Sequence, residues 1–257
     1  MERAGWVASI NPCGVVYNPA SIALLVQLAL TQRVHRRTIV EASVTKREGK
    51  YVSWFMDSKT AAESAEKCVD KVSERLDILQ KALETADIFI VTFGTPDAWL
   101  IKGTDRVVGN CHKHPAAEFE KIRLGIEDIS MTWTAIVNGV RELNPHLNVI
   151  FTVSPRRYLG EGFADNSRLK SILLLACEKL CNELKESVYF PAYEILIDDL
   201  RDYRFYNTDL LHPSSAGIDY IWEKFTETFF TKEDIRRLKE ARTRYVASLH
   251  RKIVDTD

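Results

Sequence analysis

No stretch of this chain holds the roughly 18 consecutive apolar residues that a membrane-spanning helix needs. The N-terminal residues also lack the charged, apolar and small-residue sections of a signal peptide. Cysteine is sparse: Cys13, Cys68, Cys111, Cys177 and Cys181 are odd in number and follow no framework spacing. That excludes a disulfide scaffold and points to a reducing, cytoplasmic compartment for the chain as it stands. Cys177 and Cys181 lie one helical turn apart, where burial as small apolar residues is the better reading than a bridge. Surplus charge is missing too. The net charge is −1, so there is no electrostatic pull toward nucleic acid or an anionic membrane. The cluster Arg33, His35, Arg36, Arg37 reads as a local, solvated feature. Repeats and low-complexity tracts are absent. No second ligand cluster accompanies Cys111-His112-Lys113-His114, and zinc takes three or four ligands from more than one element. No metal and no cofactor is therefore expected.

What is present fits an α/β protein. The chain has 257 residues, 46% of them hydrophobic and 28% charged, enough for one sizeable core. Strand-like and helix-like runs alternate, the pattern of a parallel sheet with helices on its faces. Trp6 to Ile10 reads as a short strand ending at Asn11-Pro12, and Pro19 opens a helix through about Arg33. Ile39 to Val44 and Tyr51 to Met56 read as a hairpin around Lys46 to Lys50. Val69, Val72, Leu76, Leu79 and Leu83 keep three-four spacing, giving a helix that ends near Thr85. Asp87–Thr92 and Asn148–Val153 are continuous apolar strands of the kind buried on both faces. Between them, Gly94 to Pro115 reads as a long loop, and Phe119, Ile122, Ile126, Ile129, Trp133, Ile136, Val140 and Leu143 as a seven-turn helix. A helix from about Asn166 to Glu186, a short strand at Val188–Phe190 and two helices at 214–230 and 232–253 complete the reading.

In a parallel sheet, ligands bind beyond the carboxyl ends of the strands. Loops leaving that edge carry Gly14, Gly94-Thr95 with Asn110 beyond, Ser154, and Asp209-Leu210-Leu211-His212-Pro213. An Asp and a His three apart can form a base with its orienting carboxylate: the carboxylate fixes the tautomer and leaves the far nitrogen free to take a hydroxyl proton. Alone the spacing is more often a helix cap, with Pro213 at the first helical position. Convergence with the other loops raises the catalytic reading. Glycines at strand ends allow a backbone N–H to approach a substrate oxygen, although a tight turn explains Gly14 and Gly94 equally well.

Several blocks occur in order: Asn11-Pro12-Cys13-Gly14-Val15-Val16-Tyr17-Asn18-Pro19, Phe93-Gly94-Thr95, Gly109-Asn110-Cys111-His112-Lys113 and Thr152-Val153-Ser154-Pro155-Arg156-Arg157. Tyr189-Phe190-Pro191-Ala192-Tyr193-Glu194, Asp202-Tyr203-Arg204-Phe205-Tyr206 and Asp209 to Pro213 follow. From about residue 6 to 230 the chain resembles the GSCFA family, which in turn resembles the SGNH (GDSL-like) hydrolases. The resemblance implies a three-layer α/β/α sandwich with a mainly parallel sheet, a serine nucleophile, and ester hydrolysis. On that basis His212 is the general base and Asp209 its orienting carboxylate. Gly14 is an oxyanion donor, and Asn110 is a second donor in place of the usual Asn, where this chain has Thr95. Asn110 could equally cap a turn. Lys113, Arg156 and Arg157 are candidate contacts for an anionic substrate, or surface charges paired with Glu161 or Asp165.

The family's namesake Gly-Ser-Cys-Phe-Ala motif is not found. It should end a first strand ahead of Trp6, so that strand and the nucleophile are expected to precede Met1, where a signal peptide would also lie. Other candidate nucleophiles are poor: Ser154 precedes a proline, Ser9 sits in a strand, Ser214 and Ser215 follow His212 too closely, and Cys13 occupies a packing position. The expectation is an SGNH/GSCFA-like domain over 1–230 with a hairpin insertion near 38–57, and a helical extension over 231–257. Its implied activity is that of an esterase on a carbohydrate or small-molecule ester, inactive or impaired without the serine motif. The alternative is a non-catalytic binding module of the same fold. Oligomeric state is not readable.

Overall fold

Asn18 starts the first helix, and a computed structural model that describes residues 7–254 shows how. Its side chain accepts from the Ser21 N–H at 2.7 Å, and Pro19 takes the first helical position, where no donor is needed. Helix α1 runs Pro19–Leu30 and stops at extended Thr31, so α2 (Arg33–Glu41) is a separate element rather than a continuation. Because α2 takes in Ile39, the hairpin is shorter than expected: β1 (Val44–Arg47) and β2 (Lys50–Ser53) turn through Glu48 and Gly49, both at positive φ. Helix α3 (Ala65–Thr85), capped by Ser64, buries the five-residue apolar stripe read from its spacing. Strand β3 (Ile88–Phe93) follows.

The stretch read as a long loop holds two strands, β4 (Asp97–Ile101) and β5 (Val107–Val108). With β6 (Phe119–Arg123) they make an antiparallel sheet in the order β5-β4-β6. Strand β6 corrects the seven-turn helix: α4 begins only at Ile126 and ends at Leu143. Gly125 breaks the pattern, and its N–H is taken by the Asp128 carboxylate at 2.8 Å, which starts the helix there. Phe119 and Ile122 match helical spacing by coincidence; they pair across β4 with Ile101 and Ala98, and Asp97 stands opposite Arg123. The remaining elements are β7 (Asn148–Val153), α5 (Phe163–Glu183), β8 (Ser187–Phe190), α6 (Ala192–Glu194), α7 (Ser215–Phe229) and α8 (Lys232–Val254).

Strands β3, β7 and β8 form the parallel sheet, β7 in the middle and buried from Val149 to Val153. Val91, Phe93, Val149 and Phe151 pack on one face against α1, α3, α4 and α5. Trp133 of α4 is fully buried there, its ring 5.1 Å from Phe93, and its N–H reaches Pro19 O at 3.2 Å. Truncating a side chain of that size in a core typically costs about 3–5 kcal/mol. On the opposite face Ile150 and Phe190 meet Phe225 of α7, the two phenyl rings edge to face at 5.0 Å. Helices on both faces of a parallel sheet give the α/β/α arrangement expected. The strand expected at Trp6–Ile10 does not form: Val7 to Ile10 is irregular with Val7 and Ile10 exposed, and Trp6 lies outside the described residues. No helix among the described residues is long and apolar enough to cross a membrane.

Candidate active site

The Asp209–His212 loop is held by its own backbone. Asp209 Oδ1 accepts the N–H groups of Leu211 at 2.9 Å and His212 at 3.0 Å, and Oδ2 lies 2.6 Å from His212 Nδ1. Leu210 takes a left-handed φ of +55° to close this turn. The hydrogen bonds, that from the His212 backbone N–H foremost, hold the Asp209 carboxyl at about 2, below the usual carboxylate range. Both side chains are close to half exposed, 44% and 46%, so a solute can reach them. Helix α7 starts at Ser215 with Ser214 as its cap, which places Pro213 before the helix and not at its first position. Pro213 instead bridges to Tyr206.

The loop leaving β7 docks against this turn. Arg157 N–H donates to Leu211 O at 3.0 Å, and its guanidinium lies 4.0 Å from the centre of the Tyr206 ring. Arg156 goes further into the site: its Nε donates to His212 Nε2 at 2.7 Å, and its guanidinium lies over the Tyr158 ring at 4.4 Å. With the Asp209 carboxylate on Nδ1 and the Arg156 N–H on Nε2, the contacts match the Nδ1–H tautomer, the one that offers Nε2 as an acceptor.

Beneath these loops Lys170 rises from α5, 1% exposed, and its Nζ donates to Gly94 O at 2.9 Å and Ser154 O at 2.6 Å. It ties together the exits of β3 and β7. Burial, reinforced by the Arg156 charge, brings its pKa down to about 7. Gly94 also sits tightly: its N–H donates to Tyr17 O at 2.8 Å, and a Cβ there would fall 2.6 Å from the Tyr158 hydroxyl. That hydroxyl is buried, and burial pushes it up against the opposing effect of the Arg156 guanidinium beside it.

The other predicted residues form a second group. Gly14 has φ +84°, its N–H is bonded to Asn11 O at 2.8 Å, and its open side faces the Asp57 carboxylate. Asn110 donates its backbone N–H to Trp54 O at 3.2 Å, while its Oδ1 accepts from His112 N–H at 2.8 Å. That leaves the Asn110 amide nitrogen without a protein acceptor among the described residues, the arrangement a side-chain donor needs. Lys113 belongs to this group, exposed and with its carbonyl bonded to Arg47. Thr95 bridges the groups: its N–H shares Tyr17 O at 3.3 Å and its hydroxyl accepts from Asp97 N–H. No hydrogen bond among the described residues joins Gly14 or Asn110 to the dyad.

The rejected nucleophiles stay rejected. Cys13 is buried, and that burial pushes its thiol up to about 12. The Ser214 hydroxyl is committed to Gly217 N–H and Arg204 O. Ser154 Oγ accepts from Arg156 N–H. Ser9 lies exposed in the irregular N-terminal segment. His112 Nε2 is spent on Ser53 O at 2.7 Å and His114 Nδ1 on Glu118, as structural histidines would be. Asp97, Glu161 and Asp165 bring carboxylate oxygens within 4.8 Å of one another, yet Lys121 and Arg123 already pair with them. This is an ion-pair network joining β4, β6 and the start of α5, and it takes the acidic groups offered as the alternative partners of Lys113, Arg156 and Arg157.

Lys170, Tyr158 and Tyr17 were not foreseen. Lys170 falls on the apolar stripe of α5 with Leu173, Cys177 and Leu180, and a lysine on such a stripe is the signal that marks it. The model of the GSCFA family matches residues 1–225. Neither the curated proteins nor the solved structures contain a match.

Proposed function

Given that this chain belongs to the GSCFA family, we propose that it is an ester hydrolase with SGNH-like chemistry, releasing a small acyl group from a carbohydrate or similar alcohol. The observation that carries this reading is the Asp209–His212 pair, 2.6 Å apart and open to solvent beyond the sheet's carboxyl edge. In it a serine hydroxyl, from the motif expected ahead of residue 1, attacks the carbonyl. His212 Nε2 takes the hydroxyl proton and returns it to the leaving alcohol, while Asp209 holds the ring and stabilises the imidazolium; the same nitrogen then takes a proton from water, which attacks the acyl-serine, and gives it back to the serine oxygen as the acid leaves. The Asn110 amide meets the oxyanion together with Gly14, whose N–H must then leave Asn11 O, or with the Thr95 hydroxyl. The test is acyl release from p-nitrophenyl acetate by protein carrying the in-frame upstream segment. Turnover that His212→Ala abolishes supports the assignment, and turnover indifferent to it refutes it.

A second reading, a binding module of the same fold, draws on two observations. Nε2 already accepts from Arg156, and the Gly14 N–H is spent within its own turn. Absence of turnover with the upstream segment present favours this reading.

A further inference from the structure

Arg156 occupies the nitrogen on which the proposed reaction depends. Its Nε donates to His212 Nε2 at 2.7 Å, and its guanidinium otherwise lies against Tyr158. No carboxylate among the described residues pairs with Arg156, nor with Arg157, because Glu161 and Asp165 are held by Lys121 and Arg123. Arg157 satisfies itself on Leu210 O and the Tyr206 ring, and Lys170 lies beneath on two carbonyls. Arg156 and Lys170 both lie against the Tyr158 ring, Arg157 stands beside them on the same loop, and Asp209 is already engaged by His212.

A guanidinium presenting a single N–H to a neutral imidazole is poorly satisfied. A carboxylate or phosphate accepts two of its parallel N–H groups and balances its charge as well. The exchange is therefore downhill for Arg156 whenever such a group arrives. We propose that Arg156 is an anion-operated latch on His212. An ester bearing a carboxylate or phosphate draws the guanidinium off Nε2 and frees the lone pair beside the bound substrate. Neutral esters of equal size leave the latch closed. Arg156 is in this sense a specificity and positioning residue. The inference rests on His212 being the base of the proposed hydrolase, and it names that enzyme's substrates as anionic esters.

The latch can be tested without turnover, by the rate at which diethyl pyrocarbonate carbethoxylates His212 in the full chain, followed by peptide mass spectrometry. Arg156→Ala is expected to raise that rate on the order of tenfold, the population change one charge-assisted hydrogen bond supports. Monomethyl succinate or methyl phosphate should raise the wild-type rate toward the variant's, and methyl butyrate should not. The more potent anion identifies the preferred group. Arg156→Lys, which keeps the charge without the fork, should label faster than wild type and respond weakly to either anion. Equal labelling of wild type and Arg156→Ala overturns the latch, and so does acceleration of both proteins alike by the anions. Because wild type alone reports the anion effect, a misfolded variant does not decide the matter. Anion-dependent labelling together with no ester hydrolysis by protein carrying the upstream segment would sink the hydrolase reading instead.

Discussion

Replacing Lys170 with methionine probes the floor of the site through its pH dependence. Lys170 is 1% exposed, and burial, reinforced by Arg156, draws its pKa down to about 7. In the unfolded chain a lysine titrates near about 10.4. Between those two values the unfolded chain holds a proton that the folded chain has released, so stability rises with pH. Below about pH 7 both states are protonated and the folded protein carries the full penalty of a buried ammonium. Integrated from pH 7 to pH 9, this single site adds about 2 kcal/mol to the unfolding free energy. Methionine keeps the volume and loses the titration. It also strips Gly94 O and Ser154 O of their donor, at about 1–3 kcal/mol for each carbonyl left buried and unpaired.

Urea unfolding of wild type and Lys170→Met at pH 7, 8 and 9, followed by tryptophan fluorescence, reads both effects. The gap between the two proteins is expected to widen by about 2 kcal/mol across that range. Buried thiols act with opposite sign: burial pushes Cys13 up to about 12 and Cys181 up to about 11, so the unfolded chain loses thiol protons first and stability falls as pH rises. Both proteins share those thiols, and the comparison cancels them. Parallel pH curves would refute the claim that a buried, largely neutral lysine ties the two strand ends.

In protein carrying the upstream segment, Asp209→Asn should lower kcat toward p-nitrophenyl acetate by roughly 10²- to 10⁴-fold with little change in KM, as loss of tautomer control implies. Since Asp209 is held at about 2, it stays ionised and adds no acid limb to the wild-type kcat profile above about pH 4, which rate measurements down to that pH would check. Gly94→Ala puts a methyl 2.6 Å from the Tyr158 hydroxyl and 2.9 Å from Tyr17 O; a loss of about 1–3 kcal/mol in urea unfolding is expected, partly relieved by adding Tyr158→Phe. Arg123→Met leaves Asp97 with Lys121 alone and Asp165 unpaired, and a clear drop in Tm should follow. Calcium should leave the wild-type Tm unchanged, and a rise would mean that the three carboxylates hold a cation after all.

The parts of this molecule that could be read from local pattern are those whose physics is local. Asn148–Val153 is a continuous apolar run because both faces of β7 are covered; Asp87–Thr92 reads the same way, but in β3 only the face of Val91 and Phe93 is covered, and Ile88 and Ile90 are exposed on the other. The dyad is visible because its members stand three positions apart in one turn. Strand β6 escaped because Phe119, Ile122 and Ile126 mimic a helical face, and Gly125 was the one contrary signal. The register of β6 also fixes contacts near the site. Arg123 is paired with Asp97 26 residues away and with Asp165 42 residues away, contacts created by the register of β6 on β4. Asp165 pairs with Arg123 and Glu161 with Lys121, while Arg156 meets His212, 56 residues distant. Which cation meets which carboxylate is thus decided by tertiary pairing, and no local pattern around Arg156 announces that its partner is an imidazole.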